Sequence, residues 1–321
     1  MSSALPYLGE LAALLTTLSW SIGVFPFTEA SRRMGPNEVN HFRLVLASVA
    51  LTLLSILMYH QSVFTLFSRP TADQWLWLGL SGVIGLALGD HFGFTALAIL
   101  GTRVATVFST LAPGAALLFG YILLGEQLNL TGMLGMMITI GGVSWLTLGK
   151  YRKEKHIPLP HGKLERGIFF GILSALAQGI GLVLAKKGLA GTGEGIHGNP
   201  VHATWIRMAG ATSVIWTLTI IRGKAEKVIT PVLKNKNKGI LPAAAGTFFG
   251  PVTGVCLSMY AITLVNVSVA QTIFSLVPVV VLPISYFLYK EKLTLQSVAA
   301  ALIAIGGVFI LIWRNNIQAC F

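Results

Sequence analysis

The chain has 321 residues, 54% of them hydrophobic and 11% charged, with 23 Lys and Arg against 11 Asp and Glu. A soluble domain carries about 25% charged residues, so this composition excludes one and fits a polytopic membrane protein. The net charge of +12 would point to nucleic acid in a soluble protein, but here the positive charges lie in short loops between apolar runs. There they set topology and meet anionic lipid, which leaves no nucleic-acid partner.

Ten apolar runs of about 20 residues, each long enough to cross a ~30 Å hydrocarbon core as a helix, lie near 8–28, 40–59, 74–98, 103–124, 130–149, 166–186, 202–222, 239–264, 267–289 and 294–313. They are spans 1 to 10 below. Each is apolar throughout, which excludes the alternating strands of a membrane barrel. The first is preceded by MSSALPY, without Lys or Arg, and is too long for a signal-peptide core, so it is expected to be a retained helix. Cys256 and Cys320 form no metal or redox motif, and no metal or cofactor is expected.

The stretch 104–146 is written a second time at 269–311. Aligned without a gap, roughly 16 of about 43 positions are identical, which marks an internal repeat. Both copies hold a proline (Pro113, Pro278), a Tyr (Tyr121, Tyr286), a Glu ending the run (Glu126, Glu291) and a Gly-Gly-Val beginning at Gly141 or Gly306. Small residues every four positions also match. Gly9, Ala13, Thr17 and Ser21 of span 1 answer Gly167, Gly171, Ala175 and Gly179 of span 6. Ser81, Gly85, Gly89 and Gly93 of span 3 answer Gly246, Gly250, Gly254 and Ser258 of span 8. Such faces let helices approach closely in lipid.

The basic, proline-bearing segment 150–165 then reads as a linker between a first five-helix repeat, 1–149, and a second, 166–321. Five is odd, so the second half enters the membrane inverted. The expected fold is an all-α polytopic membrane protein of ten transmembrane helices in two inverted five-helix repeats. Loops after odd-numbered spans hold about 17 Lys and Arg and the opposite side about four, which places both termini outside the cytoplasm by the positive-inside rule.

The in-helix proline, the Gly-Glu or Lys-Glu at the run's end (Gly125-Glu126, Lys290-Glu291), the Gly-Gly-Val of the next span, the two halves and Trp20 late in span 1 together resemble the drug/metabolite transporter superfamily, EamA-domain type. That resemblance implies a central cavity lined by spans 1, 3, 4, 6, 8 and 9, termini usually on the cytoplasmic side, and export of amino acids or other small metabolites.

Pro113 and Pro278 are expected to kink their helices and line a midplane site, since each removes a backbone bond at a matching place. Ser109, Thr110 and Ser275 lie within a turn of them and either face a substrate or bond back to the helix. Glu126 and Glu291 sit at helix C-termini, where a carboxylate opposes the macrodipole. They are expected to be held by something else, as a cap on a neighbouring helix or a gating ion pair, with proton coupling as the other reading. Arg43 and Arg207 match, each about one turn into spans 2 and 7. At that depth they snorkel to the interface, with a substrate anion as the other reading.

Asp90 and His91 have Val255 and Cys256 as their repeat counterparts, so the scaffold does not require them. They are expected to bind an amino group or carry a proton, against a plain Asp-His bond locking span 3. Trp20 against Gln178, Gln271 in place of Thr106 and Tyr260 in place of Thr95 are further unmatched positions suited to a small organic ligand.

No HExxH, GxSxG, Walker loop or CxxC is present, so hydrolysis and ATP-driven pumping have no sequence basis. The expectation is a secondary transporter in the plasma (inner) membrane, exporting an amino acid or other amine-bearing metabolite by alternating access. An intramembrane enzyme using Asp90 and His91, or a channel or scaffold, is the alternative. Expected partners are the small-molecule substrate and the lipid bilayer, with protons and a second copy of the chain as further candidates.

Overall fold

A computed structural model of the protein describes residues 7–60, 62–151, 164–190, 199–234, 238–290 and 293–318. Among them every regular element is helical. In order they are α1 (Leu8–Met34), α2 (Pro36–Tyr59), a short α3 (Val63–Ser68), α4 (Ala72–Gly82), α5 (Gly89–Ser109), α6 (Ala112–Leu124), α7 (Leu130–Tyr151) and α8 (Leu164–Leu189). The second half continues with α9 (Pro200–Ile221), α10 (Ala225–Lys234), α11 (Ile240–Thr247), α12 (Val255–Leu264), α13 (Val267–Phe274), α14 (Val277–Tyr289), α15 (Leu295–Ile312) and α16 (Arg314–Gln318). Nine described segments are long and apolar enough to cross a membrane. The tenth expected span is α9, whose 22 residues suffice in length while its buried His202, Thr204 and Arg207 dilute its apolarity.

Local sequence sets the helix ends. The backbone reverses between α1 and α2 at Gly35, whose φ of 105° only glycine adopts freely. Pro36 then opens α2, where its missing N–H is no loss. Thr71 and Gln74 form a capping box on α4, and the Asn199 side chain accepts the His202 N–H at the start of α9.

Spans 3 and 8 are each interrupted by one wide, π-type turn, at Val83–Leu88 and Phe248–Gly254. The two turns fall at matching places in the repeat. Pro251 lies in the second and removes a backbone donor there, whereas the first holds no proline. Spans 4 and 9 are also broken alike. The chain tightens at Thr110–Leu111 and at Ser275–Leu276, where Leu111 and Leu276 N–H groups bond only three residues back, to Phe108 and Ile273. Pro113 and Pro278 therefore stand in the first turn of a new half-helix, α6 and α14, rather than at a kink inside a continuous one. In that position the ring requires no lost bond.

No loop parts spans 3 and 4 as the run boundaries predict, because helical bonding continues from Gly89 to Ser109. The direction still reverses within it. Along α8, a methyl added at Gly188 would strike Leu78, at Gly167 Leu100, at Gly171 Phe108 and at Gly179 Ala115. The contacts thus run antiparallel up to Leu100 and parallel from Phe108 onward.

The halves meet where equivalent helices, α7 and α15, lie antiparallel. Gly135 touches Leu311 and Gly307, Thr139 faces Gly307, and Gly142 abuts Ala300 and Ala304. Antiparallel packing of repeat-equivalent helices is what an inverted repeat requires. Of each Gly-Gly pair only the second glycine does this, since Gly141 and Gly306 have nothing within 4 Å of an added Cβ. Outward faces such as Leu11, Leu14, Leu15 and Leu18 of α1 remain exposed, as a lipid-facing surface does.

Candidate substrate cavity

A cavity of about 850 Å³ enters the bundle at the α1–α2 turn. Thr28, Arg32 and Pro36 stand exposed at its mouth, and it runs inward past Phe27 and Leu86 to Trp20, Gln178, Ser258, Gln271 and Arg207. Spans 1, 2, 3, 6, 7, 8 and 9 supply its walls. This differs from the expected set: spans 2 and 7 contribute and span 4 does not. Both wide turns border the cavity, through Gly85 and Leu86 in one half and Gly250 and Pro251 in the other. Gly254 leaves the space that the Trp20 indole fills, since a Cβ there would lie 2.3 Å from Trp20 Cδ1. Trp20 in turn meets Phe274 edge-on, 5.0 Å between ring centroids.

Beyond Arg32 at the mouth, two arginines face this space from within the bundle, and neither snorkels to the interface. Arg43 pairs with the Asp90 carboxylate, donates Nε–H to Asn40 Oδ1 at 2.8 Å and lies over the Phe27 ring. Arg207 is 3% exposed. Among the described residues its only hydrogen-bond acceptor is Met259 Sδ, 3.2 Å from Nη1, and its Nε–H has none. A buried charge without a partner costs several kcal/mol.

The opposite end of the bundle is closed. Glu126 Oε2 accepts the Val267 N–H at 2.8 Å, at the start of α13, while its Oε1 lies 2.6 Å from Lys186 Nζ. Lys186 also donates to the Val265 carbonyl at 2.7 Å, and Asn266 to the Gln127 carbonyl at 2.8 Å. Glu126 thus caps the N-terminus of α13, whose dipole stabilises a carboxylate that the C-terminal end of its own helix, α6, disfavours. Glu10 and Arg314 form a second ion pair there, at 3.3 Å. Within the bundle, Thr17 and Ser21 of α1 donate to the Ile273 and Val277 carbonyls on either side of the span 9 break.

Of the residues singled out in the sequence, the cavity gathers Trp20, Asp90, Gln178 and Gln271. Gln178 is tied to Ser174 at 3.4 Å, and Gln271 keeps a buried Oε1 with no partner. His91 is exposed and lies beside Phe92, outside the cavity. Successive helical residues point about 100° apart, so Asp90 and His91 do not converge. Ser109 is exposed, Ser275 donates back to the Thr272 carbonyl at 2.6 Å, and Tyr260 packs on the main apolar core; none of the three lines the cavity. Pro113 is buried beside the break, and Glu291 lies outside the described residues. The sequence left Arg43 and Arg207 between the interface and a substrate anion. Depth along a helix was legible, but the direction of the side chain around it was not.

The sequence pattern described as the EamA-like transporter family matches residues 7–148 and 165–313. A search of the curated proteins finds no match. Among solved structures, one titled "Crystal structure of protein" is similar at 16% identity and a TM-score of 0.66, over 95% of this chain and 97% of that one. At that identity the likeness concerns the fold alone.

Proposed function

The chain belongs to the EamA-like transporter family, and from that premise we propose that it is a secondary active carrier, which exports a small organic metabolite by alternating access. The observation that carries this reading is one cavity, open at the α1–α2 turn and shut at the far end by the Glu126, Lys186 and Val267 contacts and by the Glu10–Arg314 pair. A carrier needs such a site, reached from one side at a time. The mouth lies on the side of the bundle whose loops are basic, which the positive-inside rule assigns to the cytoplasm. A cavity loading from the cytoplasm fits export across the plasma (inner) membrane.

The divergence of Asp90 and His91 speaks against an intramembrane enzyme, and the shut end against an open channel. Asp90, already held by Arg43, offers no free carboxylate to an amine, so the amine preference read from the sequence loses its main support. The test is counterflow in liposomes holding the purified protein, with labelled amino acids and organic acids. Saturable exchange of unaltered solute is expected. Chemical conversion would make it an enzyme, and flux that never saturates a channel.

A further inference from the structure

We propose that Arg207 is the anion anchor of this cavity, pairing through its guanidinium with a carboxylate or phosphate on the transported solute. The proposal deepens the carrier reading and rests on it for the word transported. The binding site itself stands on geometry. Arg207 presents five N–H donors, and a thioether sulfur is a weak acceptor for them. Arg207 sits in a close contact between helices. Gly82 packs on the Arg207 backbone, and a methyl at Gly85 would sit 3.6 Å from Nη2.

The other half of the repeat shows what is missing. Arg43, its counterpart, meets the carboxylate of Asp90. The position equivalent to Asp90 is Val255, which also lines the cavity, one helical turn before the Met259 that touches Arg207. A valine stands where the second arginine's carboxylate belongs by symmetry. Among the described residues the ionisable groups lining the cavity are Arg32, Arg43, Arg207 and Asp90, so their field is positive and favours an anion. A carboxylate or phosphate matches the guanidinium fork with two parallel bonds. The bare Gln271 Oε1, in the same cavity, offers an acceptor for an N–H or O–H of the same solute.

The experiment measures ligand binding to the full-length protein in detergent, by thermal shift and calorimetry. The probes are succinate and glycerol phosphate, with succinamide and putrescine as neutral and cationic controls. One or both anions should stabilise the protein and the controls should not, and which anion acts separates carboxylate from phosphate recognition. Arg207→Gln should weaken anion binding by about 10- to 100-fold, with Arg207→Lys retaining part of it. Val255→Asp, which supplies an internal partner, should remove it as fully. The empty Arg207→Gln protein should unfold no lower than the natural one, whereas a structural arginine would lower it. The proposal is overturned if neither anion binds, if the controls bind equally well, or if Arg207→Gln binds the anion unchanged. Anion binding that depends on Arg207, in a protein without counterflow, would sink the carrier reading and leave the anchor. Putrescine counterflow undiminished in Arg207→Gln would do the reverse.

Discussion

In the first half, the arginine two turns into α2 reaches a carboxylate on α5; in the second, the arginine two turns into α9 reaches a methionine sulfur. Around that difference the halves agree closely. Both interrupt the wall helix with a wide turn, both restart the next helix beside a proline, and both present a glycine to the α7–α15 contact. The far-end closure departs from symmetry as well, since the position matching Lys186 is Thr28 at the cavity mouth. In the proposed carrier, what is doubled serves the frame that moves, and what is single serves the solute site and the far-end contacts.

The largest effect should come from making the halves alike. Asp90→Asn leaves Arg43, like Arg207, without a carboxylate, though still bonded to Asn40, and breaking such a pair should cost about 3 kcal/mol in stability. Adding Arg43→Gln should return most of it, with thermal melting of both proteins as the measurement. A single variant as stable as the natural protein would show that the pair adds nothing.

Next in size is the glycine seam. Gly142→Ala places a methyl 2.6 Å from the Ala304 nitrogen and should cost about 1–3 kcal/mol. Gly141→Ala, its neighbour in the same motif, should stay within about 0.5 kcal/mol. Equal melting temperatures for the two would mean that the seam is wrongly placed. At the closed end, Glu126→Gln removes the charge from both the Lys186 pair and the α13 cap. A loss of about 1–2 kcal/mol is expected, with faster counterflow if the end now opens more readily; unchanged stability and rate would exclude a latch. The smallest effect is assigned to His91→Ala, which should leave transport intact and stability within about 0.5 kcal/mol.

Much of this was legible in the chain. The repeat announced two inverted halves, because a doubled motif with five runs on each side leaves little else. That Glu126 must be held by something beyond its own helix was legible from its place at a helix end, where its own dipole repels it, but the sequence left a cap, an ion pair and proton coupling open. The wide turn at Val83–Leu88 was not legible: its residues, one glycine among apolar side chains, occur in any membrane helix, and one extra residue per turn leaves no mark on an apolar pattern. The state of Arg207 was half written. The sequence shows two matched arginines and one unmatched aspartate, but only the packing joins Arg43 to Asp90 and so reveals that Arg207 lacks its equivalent. Asp90 and His91 were read as a unit because they are adjacent, although adjacency on a helix turns them apart.

The α7–α15 seam has one more consequence. It joins a helix to its own repeat partner, so it lies on the pseudo-two-fold axis of the protein. When a carrier exchanges one facing for the other, that axis interchanges the environments of the two halves. A contact between partners on the axis is carried onto itself. In the proposed carrier cycle, Gly135, Thr139 and Gly142 would therefore keep Ala304, Gly307 and Leu311 as neighbours in both facings, a fulcrum for the remaining helices.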